Sequence, residues 1–160
     1  MRTLVKTYPK HQAPSRWQVS PKLLIDKVAI RRSLCQESFW DFCHVFWEEV
    51  VADTPVWNWH MRIIANELQK VSERVFEWKP KKYDLLLNVP PGSTKSTFAS
   101  ILLLPWQWTR APWMRYLNFT FENDLSMEFG TKARAVIKSD LYQETFGPSS
   151  GIGEDREVII

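Results

Sequence analysis

Tyr83-Asp84-Leu85-Leu86-Leu87-Asn88-Val89, running directly into Pro90-Pro91-Gly92-Ser93-Thr94-Lys95-Ser96-Thr97, is the stretch on which the reading of the fold turns. Its first seven residues form a short, nearly continuous apolar run, the pattern of a strand buried on both faces. A Pro-Pro-Gly turn follows. From Ser96 to Leu104 the apolar residues return at helical spacing, with Pro105 placed to end or kink the helix. Strand, tight loop and helix in that order predict a parallel α/β unit, which binds ligands at the carboxyl ends of its strands. The loop stands at that end.

A loop that holds phosphate needs successive backbone N–H groups curled around an anion, a lysine for the outer oxygens, and a hydroxyl for Mg²⁺. Lys95 and Ser96 supply the last two. Proline has no N–H, and both prolines precede the part of the loop that must donate. Gly92 through Thr97 keep their donors and lead straight into a helix N-terminus. The usual GxxxxGK[ST] pattern is not met, because its two glycine positions are occupied by Val89 and Thr94. Thr94 is the larger departure, since a β-branched residue restricts the backbone beside the phosphates. Gly92 alone remains to relieve the turn. The plain alternative is a strand-to-helix connection with an exposed lysine.

Downstream, Arg115 to Phe121 (RYLNFTF) alternates like a second strand. Asn123 is placed to cap a helix from Asp124 to about Lys138, with Leu125, Phe129, Ala133, Val136 and Ile137 facing inward. A short helix from Ser139 or Asp140 to Phe146 comes next, then the loop GPSSGIGEDR and the apolar EVII. Upstream, a helical pattern begins near Leu23 and strengthens from Ser38, where Phe39, Phe42, Cys43, Phe46 and Val50 share a face broadened by Trp40 and Trp47. Asp53, Thr54 and Pro55 break it. A second amphipathic helix is expected from about Trp57 to Phe76, with Met61, Ile64, Leu68, Val71 and Val75 inward and Arg62, Asn66, Gln69 and Glu73 outward. Residues 1–22 carry Pro9, Pro14 and Pro21 without a hydrophobic period and read as a flexible basic arm. The expected organisation is therefore that arm, a helical segment over 23–80, and a partial α/β core over 81–160.

Composition narrows the class. The 160 residues suffice for one domain with a real core, and nine Trp with nine Phe predict an aromatic interior. A net charge of +3 permits contact with nucleic acid without arguing for it. Cys35 and Cys43 are the only cysteines. Their spacing on a helix is too wide for a disulfide, and no His partner suggests zinc, so buried thiols are expected. Neither a membrane span nor a secretory leader is present in the pattern, which predicts a soluble intracellular protein.

Taken together, these blocks resemble the ATPase domain of tailed-phage terminase large subunits, which often carry a variant loop of the form PPGxxKST. Pro90-Pro91-Gly92-Ser93-Thr94-Lys95-Ser96-Thr97 is similar to it. In that family the loop is followed by a strand ending in a Ser-Tyr-like pair, where Thr120-Phe121 stand here, and by a helix, opened here by Asn123-Asp124-Leu125. A phrase like "I.S..Y...F" closes the block, matched by Ile137, Ser139, Tyr142 and Phe146. Trp59-His60-Met61 with Ile63-Ile64 resembles the helix that precedes the core. The similarity runs from about Phe39 to Gly147.

The resemblance implies a P-loop NTPase-like parallel sheet, incomplete, preceded by an N-terminal helical segment. It implies ATP and Mg²⁺ as cofactors, with Pro91, Gly92, Ser93, Thr94, Lys95, Ser96 and Thr97 around the triphosphate. Lys95 would neutralise the β/γ oxygens and Ser96 would hold the metal. His60 stands where related motors contact adenine; the simpler reading is a packed or exposed histidine. Arg134 stands as a candidate arginine finger; the simpler reading is a solvated face shared with Lys132 and Lys138. The implied partners are double-stranded DNA, a portal protein, a small terminase subunit and further copies in a ring, in the host cytoplasm. Phe119 to Glu122 lies too soon after the loop to be the apolar strand ending in the Mg²⁺-holding acid. No other stretch offers that acid or the family's nuclease cluster, so a truncated or split product with poor hydrolysis is expected. Another P-loop or helicase-like NTPase fragment, and a non-catalytic module that keeps only the fold, are the alternatives.

Overall fold

Asp26 opens the first helix. Its carboxylate accepts the N–H groups of Val28 and Ala29 at 3.1 and 3.0 Å, capping α1, Lys27–Glu37. Ser38 then both ends α1 and starts α2, Phe39–Phe46: its backbone is extended (φ −130°, ψ 118°), and its Oγ accepts from the Asp41 N–H. The single helical pattern expected across this region is thus two helices hinged at Ser38. Gln69 clamps the hinge, accepting the Phe39 N–H and donating to the Glu37 carbonyl, each at 2.9 Å. The computed structural model describes residues 26–150, with side chains through Gly147, so the arm and the EVII segment lie outside the described residues.

A short 3₁₀ turn, Trp47–Glu49, follows α2, and α3 spans Trp59–Phe76. Its cap is Asn58, whose Oδ1 accepts the Trp59 N–H at 2.8 Å. Met61, Ile64, Ala65, Leu68 and Ser72 face the core, while Val75, expected inward, is exposed. The α3 end wraps in two bonds: Trp78 N–H to the Val75 carbonyl, and Lys79 N–H to the Arg74 carbonyl. This is the Schellman geometry, with Trp78 at the left-handed position (φ 55°) that glycine usually fills.

Beyond the loop at 90–96, a π-helical segment, Thr97–Leu102, continues as α4, Leu103–Arg110. Pro105 does not end the helix. It lacks an N–H and crowds the preceding turn, and the wider π ladder immediately before it takes up that misfit. Two further helices complete the order, α5 (Asn123–Lys138) and α6 (Asp140–Ser150). α6 therefore extends past Gly147, where a loop was expected. Asn123 lies inside α5, and Glu122 at the cap position makes no side-chain capping bond. Phe129, Ala133 and Val136 are buried as the periodicity predicts.

The parallel sheet is the expectation the structure overturns. Among the described residues every regular element is helical, and no strand is formed. Residues 83–89 and 115–121 belong to no regular element, and neither stretch makes a backbone–backbone hydrogen bond among the described residues. Leu85, Leu87 and Val89 pack on the core, but Leu86 between them is 89% exposed. Across 115–121, Leu117, Phe119 and Phe121 are 84–94% exposed. Hydrophobic periodicity reports which side of an extended chain is covered; it does not guarantee a neighbouring chain to complete a ladder.

The core is aromatic. Trp106, fully buried, lies 5.0 Å from Phe39 and donates its ring N–H to the Cys35 carbonyl at 2.8 Å. Phe42, Phe46, Tyr142 and Phe146 form a second cluster with centroids 4.4–6.4 Å apart. The Tyr142 hydroxyl donates to the Pro105 carbonyl at 2.9 Å, which resolves the one polar atom this cluster buries. Residues from both sides of position 80 share this one core.

Candidate phosphate-binding loop

The loop is a sharp turn and not an extended link. Ser93 donates both its N–H and its Oγ to the Pro90 carbonyl, at 3.3 and 2.6 Å. Gly92 (φ 79°) and Thr94 (φ 59°) are both left-handed. Left-handed residues alternating with right-handed ones are the backbone pattern from which anion nests are built. A helix begins directly afterwards, with the Phe98 N–H bonded to the Thr94 carbonyl at 3.1 Å. Among the described residues, no hydrogen bond occupies the N–H groups of Thr94, Lys95, Ser96 or Thr97. These are the donors a helix start leaves unsatisfied, and they carry the positive end of its dipole.

The side chains fit the same purpose. Lys95 folds back so that Nζ lies 3.4 Å from the Val89 carbonyl, a long and weak contact that an arriving phosphate oxygen would readily replace. The Ser96 hydroxyl makes no hydrogen bond among the described residues and lies on the helix (φ −70°, ψ −35°), which leaves it free for a cation or an oxygen ligand. Thr94 Oγ1 is already engaged, donating to the Ser93 carbonyl at 2.6 Å. Thr97 is half-buried, and Phe98 behind it is fully buried against Phe39, Trp40 and Trp47, with centroids 6.1–6.4 Å apart. The base of the loop is therefore fixed to the core.

Residues 91–97 are brought together by chain continuity, whereas His60 and Arg134 stand on other helices, α3 and α5. His60 is half-buried in the first turn of α3 and meets Trp59 edge-on at 6.0 Å, with no hydrogen bond or ring contact to the loop among the described residues. Arg134 is on the exposed side of α5, one residue from buried Ala133. Lys132, its neighbour, pairs with Glu128 at 2.6 Å. No group of three or more His, Cys, Asp or Glu that would hold a metal ion occurs among the described residues.

A cleft of about 920 Å³ opens elsewhere, between α4, α5 and the chain at 112–118, with Ser100, Arg115, Asn118 and Asn123 on its walls. None of residues 90–97 lines it. The π-helical segment joins the two, since Ala99 and Ser100 reach the cleft one turn beyond the loop.

Sequence reading missed three features. Gln69 as the hinge clamp looked like an outward polar residue. Gln107, buried in α4, bonds both Ser72 and the Tyr116 hydroxyl, and it sat in an otherwise apolar run. Trp78 stacks on Trp113 at 4.7 Å and 12°, a pairing that spans 35 positions and has no local signature.

No family model, curated protein or solved structure matches the chain. No helix among the described residues is long and apolar enough to cross a membrane.

Proposed function

We propose that residues 90–97 bind the triphosphate of ATP–Mg²⁺, and that the chain is the ATP-binding N-terminal segment of a phage-type DNA-packaging motor, a terminase large subunit. The paired left-handed residues Gly92 and Thr94 carry the proposal. An ordinary turn into a helix has no need to hold a β-branched residue in that conformation, whereas an amide nest does. Lys95 binds the outer phosphate oxygens, the amides of Thr94 to Thr97 share the negative charge, and Ser96 contributes its hydroxyl to Mg²⁺. Bound Mg²⁺ would neutralise charge on the β and γ phosphates. Double-stranded DNA, a portal protein, a small terminase subunit and further copies of the chain are the partners this reading carries with it.

Titration with a fluorescent ATP analogue tests it. Lys95→Ala removes a charge-assisted contact and is expected to weaken binding roughly 30-fold, from about 2 kcal/mol. Ser96→Ala should lower the Mg²⁺ dependence and leave Mg²⁺-free binding unchanged. Equal affinity of Lys95→Ala and the parent, or no binding by the parent at all, overturns the proposal.

A further inference from the structure

Trp78 and Trp113 form an exposed stack. Trp78 is 81% and Trp113 48% exposed, although their rings lie nearly parallel at 4.7 Å. Trp78 holds its ring there at a backbone cost: φ is 55° at the helix-end position where glycine is favoured. A large side chain kept both strained and exposed has been placed for something outside the core. The surroundings are cationic. Lys79, Lys81 and Lys82 follow Trp78 directly, and Arg110 closes on the same helix end, with its guanidinium 4.8 Å above the Phe76 ring. Lys79, Lys81 and Arg110 have ion-pair partners in Glu77, Asp84 and Glu73, but Lys82 and Arg115 have none among the described residues. The local balance stays positive.

We infer that the Trp78–Trp113 stack, with Lys82 four residues beyond Trp78 and Arg115 two residues beyond Trp113 along the chain, binds single-stranded nucleic acid, one unpaired base extending the stack while the cations meet the adjacent phosphates. A flat aromatic face recognises any base by stacking, and a cationic margin tracks the backbone. A duplex presents base edges and keeps the faces covered, so it does not fit this surface. An acidic protein segment would satisfy the charges without requiring two parallel indoles. The inference does not rest on the phosphate-loop proposal, because none of residues 90–97 takes part.

Anisotropy of a short fluorescein-labelled oligothymidylate, titrated with the full chain at low salt, provides the test; an oligouridylate of equal length separates DNA from RNA as the source of the same chemistry. Trp78→Gly is the decisive variant. Glycine suits φ 55° and leaves both backbone bonds of the helix end in place, so the fold is retained while the ring is lost. Trp78→Gly and Trp113→Ala should each weaken binding roughly 10-fold, with Trp78→Phe recovering most of it. Lys82→Gln should lower the slope of log affinity against log salt by about 0.7. Lys95→Ala should bind the oligonucleotide like the parent. Several results overturn the inference: no binding by the parent, undiminished binding by Trp78→Gly, loss on Lys95→Ala, a matched duplex binding as well, or polyglutamate competing equally per charge.

Discussion

Thr94 offers the sharpest test of the loop. At φ 59° its side chain sits in the left-handed region, which costs an L-residue roughly 1–2 kcal/mol. Its Oγ1 recovers part of that through the bond to the Ser93 carbonyl, a contact of about 1 kcal/mol. Thr94→Ala removes the bond and keeps the strain, so it should destabilise the fold by about 1 kcal/mol. Thr94→Gly removes both. Glycine's larger entropy loss, about 0.5–1 kcal/mol relative to alanine, then leaves it near the parent in stability. The informative quantity is the difference between the two variants: glycine should exceed alanine by roughly 0.5–1 kcal/mol, or about 2 °C in Tm. In an ordinary helix the order is the reverse, with alanine ahead by about 1 kcal/mol. Gly92→Ala serves as the control. Nothing lies within 4 Å of the added Cβ, so its cost, about 1 kcal/mol, comes from the φ of 79° alone. Thermal and urea melts of the three variants decide the matter. An alanine variant at 94 as stable as the glycine variant would mean that the backbone there is not left-handed, and the amide nest would go with it.

The other predictions concern the core and the bare extended segments. Burial is the leading cause holding both thiols protonated, with Cys35 pushed up to about 12, raised further by Asp41 and lowered in part by Arg31, and Cys43 well above the usual thiol range. A group whose folded value is raised contributes stability that is complete below its unfolded value, near 9, and is lost as pH climbs toward the folded one. Stability should therefore fall from about pH 9 upward, and at pH 8 an alkylating reagent should label Cys35 and Cys43 no faster than the chain unfolds; rapid native-state labelling would contradict their burial. Phe119 and Phe121 are almost fully exposed, so Phe119→Ser with Phe121→Ser should change stability by less than about 0.5 kcal/mol per site while raising the soluble fraction, and a large fall in Tm would show that these rings are covered.

What was legible in the sequence follows from where each signal originates. Helices α3 and α5 were readable because a buried stripe recurs every three or four residues, a local record of a tertiary fact. Ser38 was not, because Phe39 and Phe42 continue the apolar face across the break; the hinge is enforced by Gln69 from another helix. The strands failed for a related reason. Leu85, Leu87 and Val89 alternate as an extended chain on a core must, but pairing needs a partner that alternation does not specify. At the loop, the sharp turn was legible in advance, since Pro and Gly each have a distinct backbone role. The left-handed φ at Thr94 was not, because threonine disfavours it.

That last mismatch bears on how the loop is built. A glycine at 94 would reach the same φ without strain but would also leave the turn free to open. Threonine reaches it only while the surroundings hold it there, and the restraints are visible on both sides. Ahead of it, Pro90 and Pro91 fix their own φ values, and Ser93 ties back to Pro90 through two hydrogen bonds. Behind it, Phe98 is fully buried among Phe39, Trp40 and Trp47, which fixes the first turn of the helix. With both ends held, the amides from Thr94 to Thr97 would have little freedom left to lose on the proposed binding of an anion, and a smaller ordering cost would leave more of each contact as affinity. The aromatic core beneath the helix and the proline pair before it thus act on the site through the same variable, the entropy of the turn between them.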